Sequence, residues 1–229
     1  RFERQGGGEA AVNKAASILS KAKFPVILSG AGVVIGNAIE ECKILAEKLD
    51  APVCNGYQHN DSFPGSHPLA VGPLGYNGSK AAMQLISKAD VVLALGTRLN
   101  PFSTLPGYGI DYWPKNATII QVDMNPDRIG LTKKVTVGIC GDCKMVAKQI
   151  SEKLSPDSGN NGREERKNLI HKTKSAWLQT LTGLDHEEDD PGTVWNKEAR
   201  ERDKDRMSPR QVWRAIQEAI PSDAIISSD

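Results

Sequence analysis

Short apolar runs that end in glycine turns, alternating with helical repeats, constrain this chain more than any other feature. Residues 25–28, 52–54, 91–95, 117–122 and 135–139 read as strands, several of them apolar on both faces. Between them, apolar residues recur at helical spacing. Examples are Val12, Ala15, Ala16 and Leu19 over 10–22, then Ile39, Cys42, Leu45, Ala46 and Leu49, then Ala81, Leu85 and Ile86, and a closing helix over 142–154. Strands buried on both sides and separated by helices predict an α/β fold, a parallel sheet flanked by helices on both faces.

In such a sheet, ligands lie beyond the carboxyl ends of the strands. Three glycine-bearing turns fall there, at 29–32, 72–78 and 95–98. Glycine permits a sharp turn and close approach of backbone to a ligand, and a following helix offers N–H groups to an anion. Gly30, Gly32, Gly75, Asn77, Gly96, Thr97 and Arg98 are therefore candidate walls of a nucleotide-like cleft. Arg98 has either a phosphate or a surface carboxylate as its partner. Asp123, at the end of the run 119–122, accepts from ribose hydroxyls, or else Asp123 or Asn125 caps the turn through Pro126-Asp127-Arg128. Residues 55–78 read as one long Gly/Pro/His/Asn-rich loop, and long loops carry function out of proportion to their number. In it, His59 and Asn60 are candidate substrate contacts, while His67-Pro68 reads as structural.

Lys and Arg total 29 against 28 Asp and Glu. That balance gives no field to gather nucleic acid or an anionic membrane, and neither is expected as a partner. No apolar run approaches the length of a membrane span. Of the four cysteines, Cys140 and Cys143 have C-x-x-C spacing. A zinc site wants four ligands and no second such pair exists, so Gly141 is expected to turn the chain and Asp142 to cap the next helix. This cysteine usage fits a reducing, cytoplasmic compartment. After Leu154 the texture changes. Residues 155–162 read as a linker, 163–181 as an amphipathic helix burying Leu169, Ile170, Trp177, Leu178 and Leu181, and 185–206 as charge-dense, with an acidic run at 187–190 that reads as a solvated face. Ser208 and Pro209 signal a new helix with Val212, Trp213, Ile216 and Ile220 on one face, and 224–228 read as the start of a buried strand. The expected division is 1–154, a charged linker 155–206, and 207–229 as the beginning of a further domain, with Arg1–Arg4 reading as the middle of a longer polypeptide.

Taken in order, Gly30-Ala31-Gly32, Phe63-Pro64-Gly65-Ser66-His67-Pro68, Leu74-Gly75-Tyr76-Asn77-Gly78, Leu95-Gly96-Thr97-Arg98, Gln121-Val122-Asp123-Met124-Asn125-Pro126 and Gly141-Asp142 resemble the Rossmann-like central domain of thiamine-diphosphate enzymes, the acetolactate synthase family. The segments 55–61, 98–113, 185–192 and 207–229 extend the resemblance to a branch of acyltransferases. It implies conversion of sulfoacetaldehyde and phosphate to acetyl phosphate and sulfite, through an acetyl group carried on thiamine diphosphate with Mg²⁺. The cofactor's binding motifs and the catalytic residues would then lie outside this chain, the fragment alone would be inactive, and 207–229 would open the pyrophosphate-binding domain. A cofactor site shared between subunits implies a homodimer or homotetramer.

In flavin-containing relatives the matching glycine turns and the Arg98 and Asp123 positions hold FAD. Here Arg98 is followed by Leu99-Asn100-Pro101-Phe102, a departure from the usual charged pattern, so FAD is not expected. The alternatives are acetolactate synthase or another thiamine-dependent decarboxylase, and, from a different class, a nucleotide-binding or regulatory module without catalysis. A sirtuin-like deacetylase would need a paired-cysteine zinc module that the chain lacks.

Overall fold

The computed structural model describes residues 3–183, 207, 209–221 and 223–226. Residues 1–175 form one compact unit and 176–229 a second. The acidic run 187–190 and the Ser208 cap lie outside the described residues.

The first unit opens with helix α1 (Glu9–Lys21), strand β1 (Pro25–Ser29), a single helical turn α2 (Ala31–Ile35) and α3 (Ile39–Leu49). It continues through β2 (Val53–Asn55), β3 (Ala70–Pro73), α4 (Lys80–Ile86), β4 (Val91–Leu95), β5 (Thr118–Asp123), β6 (Val137–Cys140) and α5 (Cys143–Lys153). The six strands form one sheet in the order β3-β2-β1-β4-β5-β6, and every pair is parallel. The chain strides one way from β1 to β2 and the opposite way from β3 to β4. Right-handed crossovers then put α3 on one face and α4 on the other. β1 and β4, at the centre, are buried along their whole length, as strands covered on both faces must be. In register, Ile27 lies between Val53 and Leu93, and Leu93 beside Ile120. That row of branched side chains is the middle of the core.

Local chemistry sets the corners. Asp90 accepts from the N–H groups of both Lys23 and Phe24, at 2.7 and 2.9 Å, pinning the entry to β1 beside the start of β4. The Ser79 hydroxyl caps α4 by accepting from Ala82 N–H. Asp142 caps α5 by accepting from Met145 N–H at 3.1 Å, the role expected of it.

Two expectations need correction. Residues 55–78 are not one loop, because β3 lies within them and pairs with β2. Its run is short, its register with β2 shifts between Val53 and Cys54, and it ends in Gly72-Pro73 at a sheet edge, so it shows no clear period. At the other end, residues 224–226 form no strand and Ile225 is 98% exposed. A β-strand needs a neighbour for its N–H and C=O groups, and none is present among the described residues.

Residues 155–175, assigned from composition to a linker and the helix after it, pack with the first unit. Helix α6 (Arg163–Gly183) begins there. Its Arg166 is 1% exposed, and the guanidinium donates to the carbonyls of Lys23, Leu49, Asp50, Gly159 and Asn161. A buried fork of donors thus closes the open carbonyl end of α3 onto the turn at 155–162. On α6, Ile170 is buried and Leu169 packs against the core as expected, whereas Leu178 is 59% exposed. In the second unit, helix α7 (Pro209–Ala219) carries Val212 and Trp213 at 39% and 48% exposure.

Candidate functional site

A cleft of about 710 Å³ opens where the carboxyl ends of β1, β4 and β5 meet. Its floor is backbone against backbone. Gly32 N–H donates to Gly96 O at 2.9 Å, and Gly30 N–H donates to Leu95 O at 3.0 Å. A Cβ on Gly32 would stand 2.7 Å from Gly96 Cα, so no side chain fits between these turns. The glycines here let two loops touch each other and leave a low floor above them.

The structure brings Gly32, Gly96, Thr97, Arg98, Asp123 and His59 to the cleft wall. Gly30 lies beneath it, packed on Thr97. Gly75, Asn77 and Asn60 are not among the lining residues. Gly75 turns away into a neighbouring loop, where Tyr76 N–H donates to Phe102 O. The second glycine turn leads through the Ser79 cap into α4, whereas the first, at the cleft, runs into α2, a helix of five residues. It is too short to concentrate a helix dipole.

Asp123 lines the cleft at 8% exposure, and one of its carboxylate oxygens accepts from Asn125 N–H at 2.9 Å. The turn that follows is capped by Asn125, whose side-chain oxygen accepts from Asp127 N–H at 2.9 Å. Arg98 and Arg128 flank the same space, and among the described residues neither guanidinium is in an ion pair. Arg4, in contrast, reaches across from the amino-terminal segment to the Asp142 carboxylate and the Gly36 carbonyl. Tyr57 lines the rim and stacks on Phe102 with ring centroids 5.5 Å apart. Gln58, beside it, holds a left-handed backbone at φ 67°, as does Leu99 at φ 54° after Arg98. Non-glycine residues in that conformation are uncommon and gather at functional sites.

Below the floor sits Cys143, whose thiol burial pushes up to about 12. Such a thiol is inert as a nucleophile at neutral pH. Cys140, three residues earlier, is exposed and directs its Sγ toward Met124 O. The two cysteines of the C-x-x-C therefore serve different surroundings, core and surface.

Sequence reasoning missed Arg4 and Arg128 as lining residues of the cleft, and Gln121 as a buried contact of the Thr97 and Arg128 carbonyls beside it. Arg128 was visible only as a turn residue, and Arg4 meets Asp142 from 138 positions away. Gln121 did leave a signal, a polar amide between Ile120 and Val122, because a buried amide must find partners.

Chemically, the cleft offers two free guanidinia, a glycine floor and an aromatic rim, which suit an anion joined to a flat group. Among the described residues that line it, no nucleophile is hydrogen-bonded to a base. Among the described residues no three of His, Cys, Asp or Glu come together to hold a metal ion. These residues therefore do not fit a metal-bound diphosphate, and no reaction step is derived through one. No helix among them is long and apolar enough to cross a membrane.

A six-stranded parallel α/β unit with glycine turns beyond the carboxyl ends of its strands defines the class. Residues 12–150 match the family model described as thiamine pyrophosphate enzyme, central domain. The chain belongs to that family. It is 76% identical, over its whole length, to a protein of Rhizobium meliloti named "Probable sulfoacetaldehyde acetyltransferase", covering 39% of that relative. A sulfoacetaldehyde acetyltransferase of Roseovarius nubinhibens is 70% identical over 100% of the chain and 38% of the relative. Similarity to a protein of Methanocaldococcus jannaschii named "Probable acetolactate synthase large subunit" is lower, 38% over 76% of the chain and 27% of the relative. Among solved structures, a protein of Mycobacterium smegmatis described as "a putative thiamin diphosphate-dependent enzyme" superposes with a TM-score of 0.56 at 26% identity, over 68% of this chain and 30% of that one. The chain thus spans about two fifths of the length of the sulfoacetaldehyde acetyltransferases it matches.

Proposed function

We propose that this chain is the central domain of a thiamine-diphosphate- and Mg²⁺-dependent sulfoacetaldehyde acetyltransferase. The intact protein cleaves the C–S bond of sulfoacetaldehyde, releases sulfite, and passes the remaining two-carbon unit as an acetyl group to phosphate, giving acetyl phosphate. Thiamine diphosphate supplies the carbanion chemistry when bound. The residues of this chain build the sheet and the cleft beside it, and the catalytic groups lie elsewhere in the protein. All four cysteines are free thiols, in keeping with a cytoplasmic enzyme.

The observation that carries this reading is the gap in identity. Relatives named as sulfoacetaldehyde acetyltransferases, two of them at 76% and 70% and others down to 48%, match the chain over 96% or more of its length, whereas the probable acetolactate synthase falls to 38% over 76% of it. Sulfite release by the intact protein from sulfoacetaldehyde, with thiamine diphosphate and Mg²⁺, tests it. Release that requires phosphate, with acetyl phosphate formed in equal amount, is expected. Pyruvate consumption without sulfite would move the function to an acetolactate synthase or a decarboxylase.

A second reading concerns the cleft itself. Its two unpaired arginines and glycine floor favour a phosphate-bearing, nucleotide-type ligand, held for structure or regulation and without flavin chemistry. Uptake of ADP by the purified protein, measured by calorimetry, is the expected result, and stoichiometric flavin absorbance would contradict it.

A further inference from the structure

Gln121 sits in the middle of β5 at 1% exposure, between the buried apolar residues Ile120 and Val122. Its side-chain amide is fully used. Nε2 donates to Thr97 O at 3.1 Å and to Arg128 O at 3.1 Å, and Oε1 accepts from Gly130 N–H at 2.9 Å. Thr97 immediately precedes Arg98, and Arg128 is the second free arginine of the cleft. One buried side chain therefore bonds to the backbone of both loops that present the site's unpaired positive charges. Thr132 reinforces the join, its hydroxyl contacting the carbonyls of Arg98 and Leu99 at 3.3 and 2.9 Å.

We infer that Gln121 is a positioning residue for anion recognition. By clamping the loop after β4 to the loop after β5, it sets the spacing and direction of Arg98 and Arg128 across the cleft, so that both guanidinia engage the phosphates of one nucleoside diphosphate. This rests on the nucleotide reading of the cleft. A primary amide suits the task because it offers two donors and an acceptor in one rigid plane, which no apolar residue of similar volume does. Without it, two carbonyls and an N–H would each seek water, and the loops would move independently.

The test uses the intact protein and ADP as the probe. Gln121→Met keeps the volume and removes all three bonds. Gln121→Glu retains an acceptor for Gly130 N–H while replacing the paired donors, and serves if the Met variant fails to fold. With folding verified by circular dichroism, ADP affinity is expected to fall about tenfold, and amide exchange at Gly130 to accelerate. A double-mutant cycle with Arg128→Ala separates positioning from general structural damage. If Gln121 acts through Arg128, its substitution adds little once Arg128 is gone, whereas a purely structural role gives additive losses. Unchanged affinity in a folded variant, or additive losses, would overturn the inference. If wild-type protein takes up no ADP, the nucleotide reading falls and the role in ligand capture falls with it. The clamp between the loops is then decided by exchange at Gly130, and unchanged protection there removes it as well.

Discussion

The first and second glycine turns look alike in sequence and serve opposite ends. Gly30 to Gly32 follows β1 at the centre of the sheet and forms the floor of an open cleft against Gly96. Gly72 to Gly78 begins in β3 at the sheet edge and is filled by the chain itself. There Tyr76 donates to Phe102 O, and the Tyr108 hydroxyl donates to Gly78 O. A glycine turn after a strand thus announces that something comes very close, and only position in the sheet decides whether that is a ligand or another loop.

Putting a methyl group into each turn is the strongest way to break the comparison. At Gly75 the new Cβ would fall 1.5 Å from Phe102 O, on a backbone with φ +88°. Both the clash and the left-handed conformation oppose it, and Gly75→Ala is expected to cost about 3 kcal/mol or more. Gly32→Ala meets Gly96 Cα at 2.7 Å without an unusual φ, and a loss of about 1–3 kcal/mol is expected. Urea midpoints rank the two. Equal stability of Gly75→Ala and wild type would show that the second turn is not packed as described.

How much of this was legible in the letters depends on whether the signal is local. The central strands declared themselves because residues such as Val92, Leu93 and Ala94 must be apolar on both faces of a covered sheet. Asp142 declared itself as a cap because capping is decided within three residues. β3 did not, since four residues ending in Gly-Pro carry no period. Nor did the difference between the glycine turns, because what lies against Gly75 is Phe102, twenty-seven positions on in the numbering, and what lies against Gly32 is Gly96. The cleft's charge pattern was hidden for the same reason. Arg4 is neutralised by Asp142 and Arg98 is left free, and only the three-dimensional path of the chain decides which.

A weaker perturbation acts on both regions at once, through the thiols beneath them. Cys42 bonds to Ser29 just before the first turn, and Cys143 lies under Gly32 and Gly96. Burial pushes both up from 9.0 to about 12. Cys54, against α4 after the second turn, is raised further still. The folded-state pKa values are raised, so the contribution is complete below pH 9, where both states hold their protons. It is lost as pH climbs from 9 toward 12, where unfolded thiols ionise and folded ones do not. Each thiol adds a slope of about 1.4 kcal/mol per pH unit in that window. Tyr112, raised in the same way, adds to the fall above pH 10, while Lys174, whose pKa burial lowers, opposes it as a single group. Urea midpoints in reducing buffer should be level from pH 7 to 8.5 and fall clearly by pH 10. Cys143→Ala should lessen the fall, and a level profile through pH 10.5 would mean the thiols are not buried as described.

The smallest expected effect comes from a glycine with neither of the two reasons. Gly65 lies between β2 and β3, in the turn that His67 N–H closes onto Pro64 O. A Cβ there would meet no atom within 4 Å, and the backbone lies outside the left-handed region. Alanine loses nothing in the folded chain and narrows the freedom of the unfolded one, so Gly65→Ala should stabilise by about 0.4–1 kcal/mol. The same urea titration reads it as a small rise in midpoint without a change in slope. A loss of 1 kcal/mol or more in the intact protein would be the informative failure. The open space at Gly65 would then be filled by residues other than those described, and its glycine would join those of the first two turns as a point of close approach.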